Sequence, residues 1–338
     1  MLAFIILFPI VVFVHELGHF LLARRAGVKV EAFAIGMGRK IFGWRDKHGT
    51  EWRLNIFPIG GYATLKGQAD SPNQVDARGK KLEADNFEAK SVRQKFGIIF
   101  AGPAFNYVFG FLIFFALFAL VGAPKTAAVV NEVLPNAAVA GVLHPGLKIV
   151  SVNGEGAENL GDIVKKGAPV ELGLDDGRIV AVQPRLEDGV YKIGVSYSMA
   201  ADKYEQMSFG SAITKAGGEV WRITSKTLSI LGEMLTGARS SKELGGIISI
   251  AKASERALES GLYAFLFMVA FISISLGFFN LLPIPILDGG YLFIYIIEGI
   301  IRRPLPKRVK DALFWAGFGV IVLLMIIANG NDIMRLFK

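Results

Sequence analysis

Cysteine is absent from this 338-residue chain. That removes disulfides, thiolate metal ligands and cysteine nucleophiles together, so any bound metal must be held by His, Asp or Glu. Charge is thin as well: 20% of residues are charged, against 52% apolar residues and 26 Phe. The mean hydropathy is +0.46. A soluble chain this apolar could not cover its surface, which argues against a simple cytosolic enzyme. The net charge of +8 raises nucleic acid as a partner, and only the placement of the charges decides that question.

Four stretches are long enough to cross a bilayer, for which roughly 20 apolar residues are needed. The first is Met1 to Ala23, closing on Arg24 and Arg25; its only ionisable residues are His15, Glu16 and His19. The second is uncharged from Phe96 to Pro124, the third runs from Gly261 to Leu287 and ends at Asp288, and the last covers Ala312 to Asn331. Met1 to Ala23 has neither a basic leader nor a small-residue cleavage site, so it reads as a retained span.

The loops differ in charge. Arg24 to Lys95 holds fifteen Lys/Arg against eight Asp/Glu, and Lys125 to Glu259 holds fifteen against sixteen. Arg302 to Lys310 holds five Lys/Arg and no acid. The positive-inside rule puts the first and third loops in the cytoplasm and the second outside, with both termini outside. The basic excess is therefore a topology signal, and nucleic acid drops out as a partner. The basic loop at 302–310 is expected to sit on anionic headgroups.

The expected fold is a polytopic α-helical membrane protein with four transmembrane helices, a membrane-associated β-hairpin or small sheet, and an inserted α+β domain whose run VLPNAAVAGVLHPGLKIVSVNG resembles a PDZ domain. The sheet is read from strand-like alternation over 28–67, with a turn at Asp46-Lys47-His48-Gly49 between Ile41–Arg45 and Thr50–Ile56. Phe57 to Tyr62 is too apolar for a solvated loop, so the element is expected to lie against or dip into the bilayer, where its open edge could accept an extended peptide. An ordinary surface hairpin is the alternative. Residues 68–95 read as a cytoplasmic connector. The PDZ-like module spans 124–200, with strands near Val129, Ile149–Val152, Val170–Leu174 and Ile179–Val182 and short helices at Pro135–Gly141 and Asn159–Lys166. Residues 201–260 form an amphipathic segment with a possible break at Gly217-Gly218. Its apolar face could lie on the membrane or pack on the module, and composition does not choose. The third span with its LDG region covers 261–301, the basic loop 302–311, and the last span with its tail 312–338.

His15-Glu16-Leu17-Gly18-His19 carries the chemistry. Residues i and i+4 share a helix face, so both imidazoles reach one metal, while Glu16 reaches a water in the open coordination position. Zinc lowers the pKa of such a water to about 7, within reach of a carboxylate base. Three ionisable groups inside a span cost several kcal/mol unless they are used. His19 precedes Arg24 by five residues, which puts the pair roughly 7–14 Å inside the cytoplasmic boundary. A catalytic zinc takes three protein ligands, and Asp288 in FFNLLPIPILDGGYLF is the other intramembrane carboxylate, also at a cytoplasmic end. Pro283 and Pro285 break the helix ahead of it. His48 and His144 read as solvated.

HELGH on a first span and LDG on a late span resemble the site-2 protease family of intramembrane zinc metalloproteases. The stretches ARRAGVKVEAFAIGMG, GTEW, PIGGY, AGPAFN, LGGIISIAK and NLLPIPILDGG, and a last span ending in NDI, look like its bacterial RseP branch, here with one PDZ domain. The resemblance implies His15, His19 and Asp288 as zinc ligands, Glu16 as general base, and Asn106, Asn280, Pro283 and Pro285 as substrate-lining residues. It implies single-span membrane proteins as substrates, such as anti-sigma factors or signal-peptide remnants, and a place in the bacterial inner membrane, with the PDZ domain outside and the active site near the cytoplasmic face. The PDZ module would bind a peptide or restrict access by bulky ectodomains. Departures are Leu147, where an Asp commonly follows Pro-Gly, Ile247 for a usual Pro, and Tyr291 for a usual His. A catalytically inactive scaffold working through its PDZ domain is the competing reading, and intact buried ligands argue against it. An ion relay would need repeated broken spans, which are not found.

Overall fold

The computed structural model describes residues 2–68, 83–134, 137–187, 189–240 and 243–337. The chain begins with α1 (Leu2–Arg25), β1 (Val30–Arg45), β2 (Glu51–Leu65) and α2 (Val92–Leu120). A run of short elements follows: β3 (Ala123–Val133), β4 (Lys148–Val152), β5 (Glu155–Gly156), α3 (Leu160–Val164), β6 (Val170–Leu174) and β7 (Ile179–Val182), then β8 (Arg185–Glu187), β9 (Val190–Lys192) and β10 (Val195–Glu205). Five helices complete it: α4 (Phe209–Leu235), α5 (Ile247–Glu259), α6 (Leu262–Asn280), α7 (Asp288–Ile301) and α8 (Lys307–Leu336). Two compact units result, one of Met1–Phe115 with Ile213–Lys338, the other of Ala116–Ala212.

In the first unit, α1, α2, α6 and α8 are the helices among the described residues that are long and apolar enough to cross a membrane. In α1, α2 and α6 the apolar residues go all the way round rather than along one stripe, as lipid or protein on every side requires. Ala3, Leu7 and Val11 of α1 pack on Phe265 and Val269 of α6. The third apolar stretch runs to Leu287 but is broken as the prolines predict: α6 stops at Asn280. Pro283 and Pro285 lack the N–H that would continue the ladder and their rings clash with the preceding turn. The chain crosses 281–287 as an irregular loop, with Ile286 at φ 91°, and α7 restarts at Asp288. Gly289 and Gly290 permit that abrupt restart: a Cβ on either would collide with the backbone of Leu281 and Leu282 or of Ile284 and Pro285.

The hairpin turn falls at Asp46–Gly49 as expected, with Asp46 Oδ1 accepting the backbone N–H groups of His48 and Thr50 at 2.9 and 3.0 Å. The strands are longer than their alternation suggests, and they double back. Phe33 pairs with Ala63 on one side and Trp52 on the other, and Trp52 pairs with Trp44. Segments 61–65, 30–35, 51–54 and 42–45 thus lie side by side. The inner end is apolar core: Val28, Val30, Phe33 and Leu65 are buried with Phe20 and Ala23 of α1, and each large side chain so buried contributes about 1.5–3 kcal/mol. The outer end exposes Ile41, Phe42, Trp44, Ile56 and Phe57. Most of the connector, residues 69–82, lies outside the described residues.

The amphipathic stretch resolves into two helices. α4 runs unbroken through Gly217 and Gly218, where a break is the sequence expectation, and residues 201–205 belong to β10. Buried Ala216 and Ile223 hold one face of α4 on either side of the glycine pair, so packing outweighs its weak propensity.

The second unit is a sheet ordered β10-β3-β4-β6-β7, with β5 on β4 and a separate β8-β9 hairpin. Val130, Ile149, Val152, Leu160, Leu172 and Val182 lie in its core. α3 falls within Asn159–Lys166. The other expected short helix is a series of turns over 138–142, its first residues Pro135 and Asn136 lying outside the described residues.

Candidate metal centre

His15 and His19 lie one helical turn apart on α1 with their rings edge to face, and both are buried. The restart of α7 delivers Asp288 to the same point: its Oδ2 lies 3.0 Å from His15 Nε2 and 3.5 Å from His19 Nε2. The two Nε2 atoms are 3.2 Å apart. Of the candidate ligands, these three converge among the described residues, with all their donor atoms within 4.8 Å of one another. His48 and His144 are exposed and stand apart.

The donor set tests whether a cation belongs there. His19 Nδ1 lies 2.9 Å from the Ile98 carbonyl, which can only accept, so Nδ1 carries a hydrogen and the neutral ring has its lone pair on Nε2. Asp288 Oδ2 is buried and has no hydrogen-bond partner. Electron-pair donors facing one another in an apolar bundle repel unless a cation lies among them. Two imidazole nitrogens and one carboxylate oxygen, with a position left open, form the donor set of a catalytic zinc site. The residues fit the group.

α2 makes the room. Gly102 faces the pair, and a Cβ there would collide with both imidazoles. One turn earlier is Ile98, whose carbonyl orients His19; one turn later is Asn106, fully buried, with Nδ2 3.3 Å from His15 Nδ1. Ser273 of α6 donates to the Asn106 carbonyl at 2.9 Å. Sequence reasoning missed Ile98, Gly102 and Ser273; the four-residue step from Gly102 to Asn106 on one helix face was the available signal for Gly102.

Glu16 sits beside this group, against the edge segment 61–65: a Cβ on Gly61 would come within 3.5 Å of Glu16 Cγ. The far edge of 61–65 pairs with no strand among the described residues. Asn280 ends α6, with Nδ2 donating to its own helix at Leu276 O, 3.1 Å away. Pro283 is exposed and Pro285 half-buried on the loop leading to Asp288.

A metal-ready triad on helices able to cross a membrane defines the class, a membrane protein with a candidate metal centre. Comparison with known proteins gives the family. The model of Peptidase family M50 matches residues 3–324. Metalloprotease MmpA of Caulobacter vibrioides is 34% identical over 96% of this chain and 93% of its own. A Rhizobium meliloti protein named "Putative zinc metalloprotease" is 32% identical over 99% of this chain and 96% of its own. A Campylobacter jejuni protein of the same name is 34% identical over 99% and 93%. The chain belongs to peptidase family M50, the site-2 proteases. It is a zinc metalloendopeptidase and a multi-pass membrane protein.

Proposed function

We propose that this enzyme, a member of the RseP-like branch, cuts the transmembrane segment of single-span membrane proteins, anti-sigma factors or signal-peptide remnants among them. The observation that carries the reading is the convergence of His15, His19 and Asp288 at 3.0–3.5 Å within helices that are apolar almost throughout. These three residues would hold zinc, which when bound supplies a Lewis acid and lets water ionise near neutral pH.

The remaining work falls to side chains. A substrate helix buries its own amides, so it must unwind before its carbonyl can be attacked. The edge of 61–65 beside Glu16, which pairs with no strand among the described residues, suits the extended product of that unwinding, by strand addition. Asn280, Pro283 and Pro285 would line its path. Glu16 takes a proton from the attacking water as the C–O bond forms, then delivers it to the amide nitrogen as the C–N bond breaks. By the charge of the loops, the centre lies near the cytoplasmic face of a bacterial inner membrane and the sheet unit outside. We read that unit as a PDZ domain that takes peptide ends.

Co-expression of parent and Glu16→Gln with candidate single-span proteins tests this. The variant is expected to lose at least about 100-fold in cleavage, the scale of a general base. Identical fragments from both would sink the assignment.

A further inference from the structure

Asn106, expected from the resemblance to line the substrate site, stands beside His15 in this fold. It is 0% exposed, and its amide lies against His15 Nδ1. We infer that Asn106 is a positioning residue for His15: its side-chain oxygen accepts the Nδ1 hydrogen, which fixes the imidazole with Nε2 bare toward His19 and Asp288. The inference rests on His15 being a metal ligand, as proposed above.

The argument starts from His19, where the matter is decided. Its Nδ1 faces a carbonyl, so its Nε2 is free to bind. His15 has its Nε2 at the same point, 3.0 Å from Asp288 Oδ2. A ring that binds through Nε2 carries its proton on Nδ1, and that proton needs an acceptor. The polar group beside His15 Nδ1 is the Asn106 amide. Its Oδ1 is buried without a hydrogen-bond partner, while Nδ2 lies 3.3 Å from the ring nitrogen. A half-turn of the amide exchanges the two ends and gives the orphaned oxygen a donor. Ser273, bonded to the Asn106 backbone carbonyl, ties that turn of α2 to α6. One face of α2 thus supplies, at four-residue steps, an acceptor for His19, a space for both rings and an acceptor for His15. The pairing is antiparallel, with 98 against 19 and 106 against 15.

The test is zinc retention by the full-length protein in detergent, titrated with a chelator. Asn106→Leu keeps the volume and removes the acceptor; Asn106→Asp keeps an acceptor. The expected result is a roughly 10–100-fold weaker hold on zinc for the Leu variant, the scale of outer-shell changes, and retention within a few-fold of the parent for the Asp variant. Cobalt substituted into the parent and the Asp variant should give matching visible bands, with shifted bands in the Leu variant. His15→Ala is the control: if it keeps zinc, the metal-centre reading itself fails. If His15→Ala loses zinc and Asn106→Leu does not, only the positioning role fails. Slower cleavage by Asn106→Leu at unchanged zinc affinity would also overturn it and return Asn106 to the peptide. Should the Leu variant not fold, Asn106→Ala against Asn106→Asp makes the same comparison, and equal zinc loss in both refutes the role.

Discussion

Two carboxylates sit inside the helical unit in opposite circumstances. Asp332 of α8, 2% exposed, is fully engaged. Its Oδ2 accepts the Ser249 backbone N–H at 2.8 Å, its Oδ1 accepts the Ser249 hydroxyl, and Arg335 lies 3.8 Å away. Beside it, Asn329 Oδ1 faces the Ile247 N–H, and Asn331 donates to the Leu244 carbonyl at 3.2 Å. Asp332 and Asn329 together cap the start of α5, whose own N-cap residue Gly246 has no side chain to do so. Asp288 faces imidazole nitrogens instead, with Oδ2 unpartnered. One cluster is complete as protein; the other presents a donor set that a cation would complete. A buried carboxylate is thus structural or functional according to what faces it, and burial alone does not say which.

The largest effect that can break this contrast belongs to Asp288→Asn. Zinc retention should fall by more than the 10–100-fold typical of outer-shell changes, and cleavage with it. Zinc-free protein should keep its unfolding midpoint to within a small change, because Asp288 Oδ2 meets the two imidazoles rather than the backbone donors of a helix start. Zinc should raise the midpoint of the parent and not of the variant, since only the parent binds it in the folded state. Differential scanning fluorimetry with and without chelator reads both. A large drop in the zinc-free midpoint would make Asp288 a structural carboxylate like Asp332.

Asp332→Asn should do the reverse. It leaves the donors at the start of α5 poorly met, at a cost of about 1–3 kcal/mol, while zinc binding stays at the parental level. Loss of zinc at an unchanged midpoint would erase the distinction between the clusters.

The contrast also marks what was legible in the sequence. HELGH declares itself, because two histidines at i and i+4 in an apolar helix have no cheap structural use. Asp288 and the breaks at Pro283 and Pro285 are readable for the same reason. The α5 clasp is not: Ser249 and Asp332 are separated by 83 residues, and each looks like an ordinary polar residue until the helices pack. The Ile98 carbonyl is invisible in principle, since every residue has one. The doubled hairpin also escaped, because alternation reports which face a residue takes and not which segment it pairs with. Continuity of α4 through Gly217-Gly218 was set by packing against buried Ala216 and Ile223, which local propensity does not record.

The smallest effect comes from a third carboxylate, this time in water. Asp85 accepts from Lys66 Nζ at 2.8 Å, and Glu83 bonds the same ammonium. Hydrogen bonding to Lys66 holds the Asp85 carboxyl below its usual value of 3.8. Its carboxylates push Lys66 up from 10.5 to about 12. The stabilising contribution of the acid is present above 3.8 and fades as pH falls through its lowered value; that of Lys66 is present below 10.5 and fades as pH rises through about 12. Both groups are open to solvent, where screening and side-chain entropy cancel most of the attraction. Asp85→Asn should therefore lower the midpoint at neutral pH by less than Asp332→Asn does, with the difference from the parent closing on acidification below 3.8. Midpoints across pH for the two variants read this directly. If Asp85→Asn costs as much as Asp332→Asn, the partners around a carboxylate would govern its worth without regard to burial, and the contrast between Asp288 and Asp332 would have to rest on geometry alone.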